Sequence, residues 1–178
     1  MDNSRSSAIA LCNPKSPSNV GVVMRAAGCY GASAIYYTGN RFARAAKYHQ
    51  DTQNVSQHIE LSAIESFADL AGQERKLVCV ELVVGATPLP EFIHPDQALY
   101  VFGPEDGSID QSLIDMADEV VYIPTVGCMN LAATVNVVLY DRMAKQQQSI
   151  DHNERVKSSR DVNNRLVFRH HHPCPSDH

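Results

Sequence analysis

The apolar run Ala8-Ile-Ala-Leu-Cys12 leads into Asn13-Pro-Lys-Ser-Pro-Ser-Asn19, then into Val20 to Cys29, and then into Ala34-Ile-Tyr-Tyr37. The first run is short, apolar and followed by turn formers, so it predicts a buried strand and a loop. Val20 to Cys29 has helical character, with Val22, Val23, Ala26 and Ala27 sharing a buried face; Gly28 and Gly31 mark its end and the turn beyond. The fourth run is a second strand. Strand, loop, helix and strand in this order form the unit from which parallel sheets are built, because parallel neighbours need a long crossover.

The same alternation continues to the right. Arg41 to Tyr48 is compatible with a short helix, His58 to Leu61 with a strand and Ala63 to Ala71 with a helix. Leu77-Val-Cys-Val-Glu-Leu82 is a strand, and so is Ala98-Leu-Tyr-Val-Phe102, which runs into Gly103-Pro104. Asp110 is placed to cap a helix over Gln111 to Ala117. Glu119-Val-Val-Tyr-Ile123 is a strand stopped by Pro124, and Leu131 to Ala144 is the last strong helix, apolar through its first three turns. The expected fold is α/β, a mostly parallel sheet with helices on both faces. After Lys145 the composition turns polar, so residues 1–148 are expected to form the domain and 149–178 a polar C-terminal tail. Within that tail Arg165-Leu-Val-Phe168 is apolar enough to dock.

With 178 residues, 44% of them hydrophobic, the chain can bury one α/β core and is not disordered. No apolar run reaches the length of a membrane span, and no signal peptide precedes the first apolar segment, so a cytoplasmic protein with no membrane partner is expected. The five cysteines, at 12, 29, 79, 128 and 174, form no C-x-x-C pair, which argues against a zinc site or a disulfide framework. His170-His-His172 resembles a metal tract, but no other ligand cluster accompanies it, and no metal is expected. The net charge of −5 is unevenly spread: residues 1–50 hold six Lys/Arg and one acid, residues 51–150 four and fifteen. A basic N-terminal third can meet a polyanion; the alternative is a solvated surface.

In sheets of this type ligands bind beyond the carboxyl ends of the strands. Three unusual loops fall there: Asn19-x-Gly21-x-x-x-Arg25 entering a helix, Phe102-Gly-Pro-Glu-Asp-Gly107, and Ile123-Pro-Thr-Val-Gly-Cys-Met-Asn-Leu131. Glycines and prolines in the last two let main chain approach a ligand and offer unpaired N–H and C=O groups, which suit an adenine edge and a ribose better than a phosphate. Neither G-x-G-x-x-G nor G-x-x-x-x-G-K-[ST] occurs, so a dinucleotide or P-loop site has little support.

The order N-x-G-x-x-x-R, F-G-P-E-x-G, then I-P…N-L-A leading into a long apolar helix resembles the three motifs of the SpoU (TrmH-like, SPOUT) RNA methyltransferases, from about Ala8 to about Lys145. The resemblance implies a C-terminal deep trefoil knot, a homodimer with its interface close to the cofactor pocket, and S-adenosylmethionine as cofactor. It implies transfer of a methyl group to a ribose 2′-hydroxyl of RNA. A compact catalytic domain suits tRNA as substrate; rRNA, or RNA binding without catalysis, are the alternatives. Carried over by motif, Arg25 would be the principal catalytic residue, supported by Asn19 and Glu105. Leu82, Gly103, Ile123, Met129, Asn130 and Leu131 would meet the cofactor. The chain departs from the pattern in the third motif, where the loop is short and Cys128 stands where the family has serine.

A guanidinium is not deprotonated in proteins, so Arg25 suits phosphate positioning and help to a developing alkoxide rather than proton abstraction. Its bland alternative is a surface arginine paired with an acid such as Glu105; that of Asn19 is a helix N-cap. Arg41, Arg44 and Lys47 recur every three residues and share a helix face; with Lys15 they are the candidates for tracking an RNA backbone, a solvated face being the alternative. Tyr36, Tyr37 and Tyr48 are candidates for stacking on bases, with core packing the favoured role for the first two, and Cys128 has no neighbour in sequence to activate it as a nucleophile.

Overall fold

The computed structural model describes residues 6–46, 59–67, 70, 75–146 and 152–168. They fall into two compact units, 1–146 and 147–178. In the first, seven strands form one sheet in the order β3-β2-β1-β6-β4-β7-β5: β1 Ser6–Leu11, β2 Ala34–Tyr37, β3 Glu60–Ala63, β4 Lys76–Val80, β5 Thr87–Pro88, β6 Gln97–Phe102 and β7 Glu119–Tyr122. Every pairing is parallel. The helices are α1 Pro17–Tyr30, α2 Arg41–Ala46, α3 Gln111–Met116 and α4 Leu131–Gln146, with a 3₁₀ turn at Leu89–Glu91.

The two-residue period of the central strands divides the core in two. Ile9, Leu11, Val78, Val80, Tyr100 and Phe102 face one way and pack with Val23 and Ala27 of α1 and with Val135 and Leu139 of α4. Ala8, Ala10, Leu77, Cys79, Leu99 and Val101 face the other way, toward Phe67, Ile109 and α3. Central strands buried on both faces explain why their sequences are continuously apolar rather than alternating. Each fully buried Val, Leu or Ile contributes about 1.5–3 kcal/mol to this core.

Several expectations need correction. The start of α1 lies at Pro17, with Ser16 as N-cap: Ser16 is extended and its Oγ accepts from Asn19 N at 3.3 Å, while Pro17 supplies the fixed φ that opens a helix. Asn19 is therefore inside the first turn and not the cap. The buried stripe of α1 is Val20, Val23, Ala26 and Ala27: three of the four expected residues are there, and Val20, in i,i+3 register with Val23, takes the place of Val22, which is 48% exposed. Gly31 terminates α1 in the left-handed region, φ 71°, donating its N–H to Ala27 O. Ala63 ends strand β3 instead of beginning a helix, and 68–69 and 71–74 lie outside the described residues. Asp110 occupies the cap position of α3 with extended backbone, but its side chain makes no capping bond. Strand β5, only two residues long and containing Pro88, carries too little pattern to be read in advance.

In the second unit, the segment expected to be a tail contains helix α5, His152–Ser159, with a Glu154–Lys157 ion pair at 2.6 Å. The side chains of Leu166, Val167 and Phe168 are exposed. The His170–His172 tract lies outside the described residues. Among the described residues, no helix is long and apolar enough to cross a membrane.

A buried polar network fastens α4 to the sheet. Arg142 donates to Pro95 O and Asp96 O, each at 2.6 Å, and to Tyr100 Oη at 3.0 Å. Tyr100 Oη lies 2.6 Å from His94 Nδ1, and His94 Nε2 lies 2.8 Å from Asp141 Oδ2. Since Arg142 can only donate, the Tyr100 hydroxyl accepts from it and donates to Nδ1, and Nε2–H then donates to Asp141. Burial pulls the His94 ring below its ordinary 6.5, against the opposing pull of Asp141, and Arg142 and Lys145 add to the lowering. The ring is therefore neutral, in one tautomer.

Candidate functional site

The carboxyl ends of β1, β6, β4 and β7 lie side by side, since Leu11 pairs with Phe102, Val80 with Phe102 and Val80 with Val121. The loops leaving these ends surround a cavity of about 310 Å³, at the small end of the roughly 300–1,000 Å³ of small-molecule sites. All six residues expected to meet a cofactor line it: Leu82 from the loop after β4, Gly103 from the loop after β6, Ile123, Met129 and Asn130 from the loop after β7, and Leu131 at the start of α4. Asn19 and Glu105 reach the same cavity from the first and second motifs.

Glu105 is the tie between these motifs. Its Oε2 accepts from Lys15 N at 2.8 Å, and its Oε1 from Ser16 N at 3.0 Å and Asn19 Nδ2 at 3.3 Å. Partial burial works to raise this carboxyl, but the Lys15 and Ser16 N–H groups and the Asn19 amide outweigh it, and the group titrates below the usual carboxylate range. Glu105 thus closes the start of α1 onto the loop after β6, and Asn19 is held by it. Next to it Asp106 receives Arg41 in a bidentate pair, 2.9 and 3.0 Å, with Lys15 Nζ at 3.6 Å. Two of the basic residues expected on an RNA-facing rim are thereby gathered at this loop, and Arg41 is already paired. Arg44 is exposed, and Lys47 lies outside the described residues.

Arg25 is exposed on α1 and is neither paired with Glu105 nor among the residues lining the cavity. No hydrogen bond or ion pair holds it among the described residues. This disposes of the surface-pair reading with Glu105, whose oxygens are taken by the first loop.

Asn130 directs Oδ1 to Ala133 N at 2.7 Å, and Thr134 Oγ1 donates to Asn130 O at 2.9 Å. The asparagine of the third motif therefore starts α4 as well as lining the cavity, and its Nδ2 stays available to a ligand. In the short loop before it, Thr125 Oγ1 donates to Gly127 O at 2.7 Å, and Cys128 is an exposed free thiol on the cavity wall. Burial pushes the thiols of Cys12 and Cys79 up to about 12, so neither supplies a thiolate near neutral pH. Among the described residues, no group of three or more His, Cys, Asp or Glu is arranged to hold a metal ion.

The sequence reading missed Glu81, the residue before Leu82. It lines the cavity, and its Oε1 accepts from Leu82 N at 2.9 Å and its Oε2 from Ile109 N at 3.0 Å. The available signal was a carboxylate closing an otherwise apolar strand, Leu77-Val-Cys-Val80.

A parallel α/β domain with three glycine- and proline-bearing loops closed around one cavity defines a class of ligand-binding proteins. The sequence model of the SpoU rRNA Methylase family matches residues 6–140, so the chain belongs to that family. No curated protein matches it. Among solved structures it is similar to an AdoMet-bound rRNA methyltransferase from Sinorhizobium meliloti, with TM-score 0.65, 20% identity, and 80% of this chain and 57% of that chain covered. It is also similar to the SpoU methyltransferase AviRb from Streptomyces viridochromogenes in complex with AdoMet, with TM-score 0.64, 18% identity and coverage of 82% and 59%. A third is a structure described as giving insights into the 2-OH methylation of C/U34 on tRNA, with TM-score 0.64, 20% identity and coverage of 80% and 97%. At these identities the likeness is one of fold, and the chain spans less than two thirds of the first two structures.

Proposed function

We propose that the chain is an S-adenosylmethionine-dependent RNA methyltransferase that acts on a ribose 2′-hydroxyl of tRNA as a cytoplasmic homodimer. The observation that carries this reading is that residues of all three family motifs line one cavity, with Glu105 of the second bonded to Asn19 of the first. The cavity suits the cofactor. Main chain at Gly103 and Ile123 offers hydrogen-bonding edges for an adenine, Leu82 and Leu131 give apolar surface, and Glu81 and Asn130 bring polar side chains. S-adenosylmethionine bound there would supply an electrophilic methyl group on a sulfonium.

What the chain itself contributes is position and dryness. Aligning the ribose oxygen and excluding water supply several kcal/mol of such a barrier, up to about 7–11 in the best cases. Arg25, exposed and without an ion-pair partner among the described residues, is suited to grip a phosphate with its guanidinium fork. Lys15 and Arg44, both exposed, are the further candidates for phosphate contacts. The exposed Val22 on α1 and Tyr140 on α4, 48% and 58% exposed on helices that pack together, support a partner protomer over this side of the sheet. The choice of tRNA and of the 2′-hydroxyl draws support from the fold shared over 97% of the structure concerned with 2-OH methylation of tRNA. The test is incubation with isotopically labelled S-adenosylmethionine and either tRNA or rRNA, followed by nucleoside mass spectrometry. Label in 2′-O-methylnucleosides of tRNA is expected. Label only in rRNA, or on a base, would overturn the corresponding part of the reading, and cofactor binding with no label in any RNA would leave a non-catalytic RNA binder.

A further inference from the structure

The second cavity-facing carboxylate, Glu81, belongs to none of the three motifs. It ends the run that begins at Lys76, and its backbone N–H donates to Val121 O at 3.0 Å, so the residue sits at the seam between β4 and β7. Its side chain turns back along the sheet edge. Oε1 receives Leu82 N, and Oε2 receives Ile109 N at the far end of the F-G-P-E loop. The carboxylate then rests against Gly103: a Cβ built there would lie 3.0 Å from Glu81 Oε2 and 3.4 Å from Ile109 N. Glycine at 103 is thus what allows a carboxylate to lie across the main chain at the cavity wall.

Two main-chain donors fix both oxygens, yet a carboxylate has about four lone-pair sites and no donor of its own. Two acceptor sites remain on a group that lines the cavity. We propose that Glu81 is a cofactor-recognition residue whose carboxylate accepts the vicinal hydroxyls of the adenosyl ribose. This inference rests on the cofactor reading above. A diol offers two donors side by side, which matches two oxygens held in a fixed plane. The sulfonium is the less suitable partner: a carboxylate beside it would stabilise the positive charge that methyl transfer removes, and so would hold back the reaction.

The experiment is isothermal titration of the full chain and of Glu81→Gln with S-adenosylmethionine, S-adenosylhomocysteine and the 2′,3′-dideoxy analogue of S-adenosylhomocysteine. The wild type should bind the dideoxy analogue at least tenfold more weakly than S-adenosylhomocysteine, a result that needs no variant to fold. Glu81→Gln should lose about tenfold for both hydroxyl-bearing ligands, while for the dideoxy analogue it should match the wild type within about threefold. An equal loss for all three ligands would mean that Glu81 only pins the loop through Ile109 and would overturn the proposal. A loss confined to S-adenosylmethionine would assign the carboxylate to the sulfonium and overturn it as well. Failure of the wild type to bind either hydroxyl-bearing ligand would instead sink the cofactor reading itself, and this inference with it.

Discussion

Replacing Tyr100 by Phe removes a single oxygen from the centre of the molecule. Tyr100 is completely buried, and so is the His94 side chain it meets. Arg142 loses one acceptor but keeps Pro95 O and Asp96 O, so the cost falls on His94. Its Nδ1 becomes a buried acceptor with no donor, while Nε2–H still needs Asp141. An unmade bond of this type costs about 1–3 kcal/mol. We expect a loss of about 2 kcal/mol, seen as a reduced urea midpoint at unchanged m. The melting temperature should fall by about 4–8 °C, given roughly 2–4 °C per kcal/mol at this size. The same network sets a pH dependence. Because His94 is harder to protonate folded than unfolded, the unfolded chain binds more protons below about pH 6.5. Stability from this group is therefore complete above that value and declines below it, by at most about 1.4 kcal/mol per pH unit for one proton. A Tyr100→Phe change below about 0.5 kcal/mol, or wild-type stability that rises on acidification from pH 7 to 5.5, would refute the directed chain from Arg142 to Asp141.

Arg25→Ala is expected to abolish methyl transfer to RNA while S-adenosylhomocysteine affinity stays within a few-fold, since the residue does not line the cavity; wild-type turnover would remove it from the mechanism. Gly103→Ala should weaken cofactor binding at least tenfold by calorimetry, because its Cβ would meet the Glu81 carboxylate and the Ile109 main chain; unchanged affinity would show that the wall yields. Cys128→Ser should preserve turnover, the thiol being exposed and without an activating partner among the described residues, and a covalent RNA adduct through Cys128 would contradict this. Arg44→Glu should weaken RNA binding and lower the salt slope by about 0.7–0.9 for each phosphate no longer neutralised, whereas Arg41→Glu should in addition loosen the 103–109 loop held through Asp106; retention of both affinity and slope in Arg44→Glu would make the rim a solvated face.

The parallel architecture was legible because continuous apolar runs such as Ala8 to Leu11 and Ala98 to Phe102 leave no polar face, and such strands must be covered on both sides. The wall of the cavity was legible for a different reason: glycine and proline at strand ends restrict what the loops can do, and motif order placed the rest. Less could be seen where the signal is spatial. The place of Ser16 as cap of α1 depended on Pro17, not on the first apolar residue. The pairing of Arg25 with Glu105, weighed as the alternative to a catalytic arginine, does not form, because main-chain N–H groups at Lys15 and Ser16 and the Asn19 amide take both carboxylate oxygens. Glu81 gave no motif signal at all, since what matters is the packing of its oxygens on Gly103. The network of His94, Tyr100, Asp141 and Arg142 rests on hydrogen bonds that span up to 47 positions, each residue unremarkable in its local sequence.

The position of β6 has a consequence for how the chain is made. This strand lies at the middle of the sheet, between β1 and β4, and Glu105 at its end closes onto a backbone N–H 90 residues earlier. On a ribosome, the first strand and helix therefore emerge long before the neighbour that completes them. Until Phe102 leaves the exit tunnel, β1 exposes an unpaired edge and the apolar face of Ala8 and Ala10, opposite α1, a state prone to pairing with other chains. Pairings this distant in sequence also slow folding of the finished chain. A nascent chain arrested before residue 97 should thus be held in a protease-sensitive state, and protection of β1 should appear only once the glutamate of the second motif has emerged.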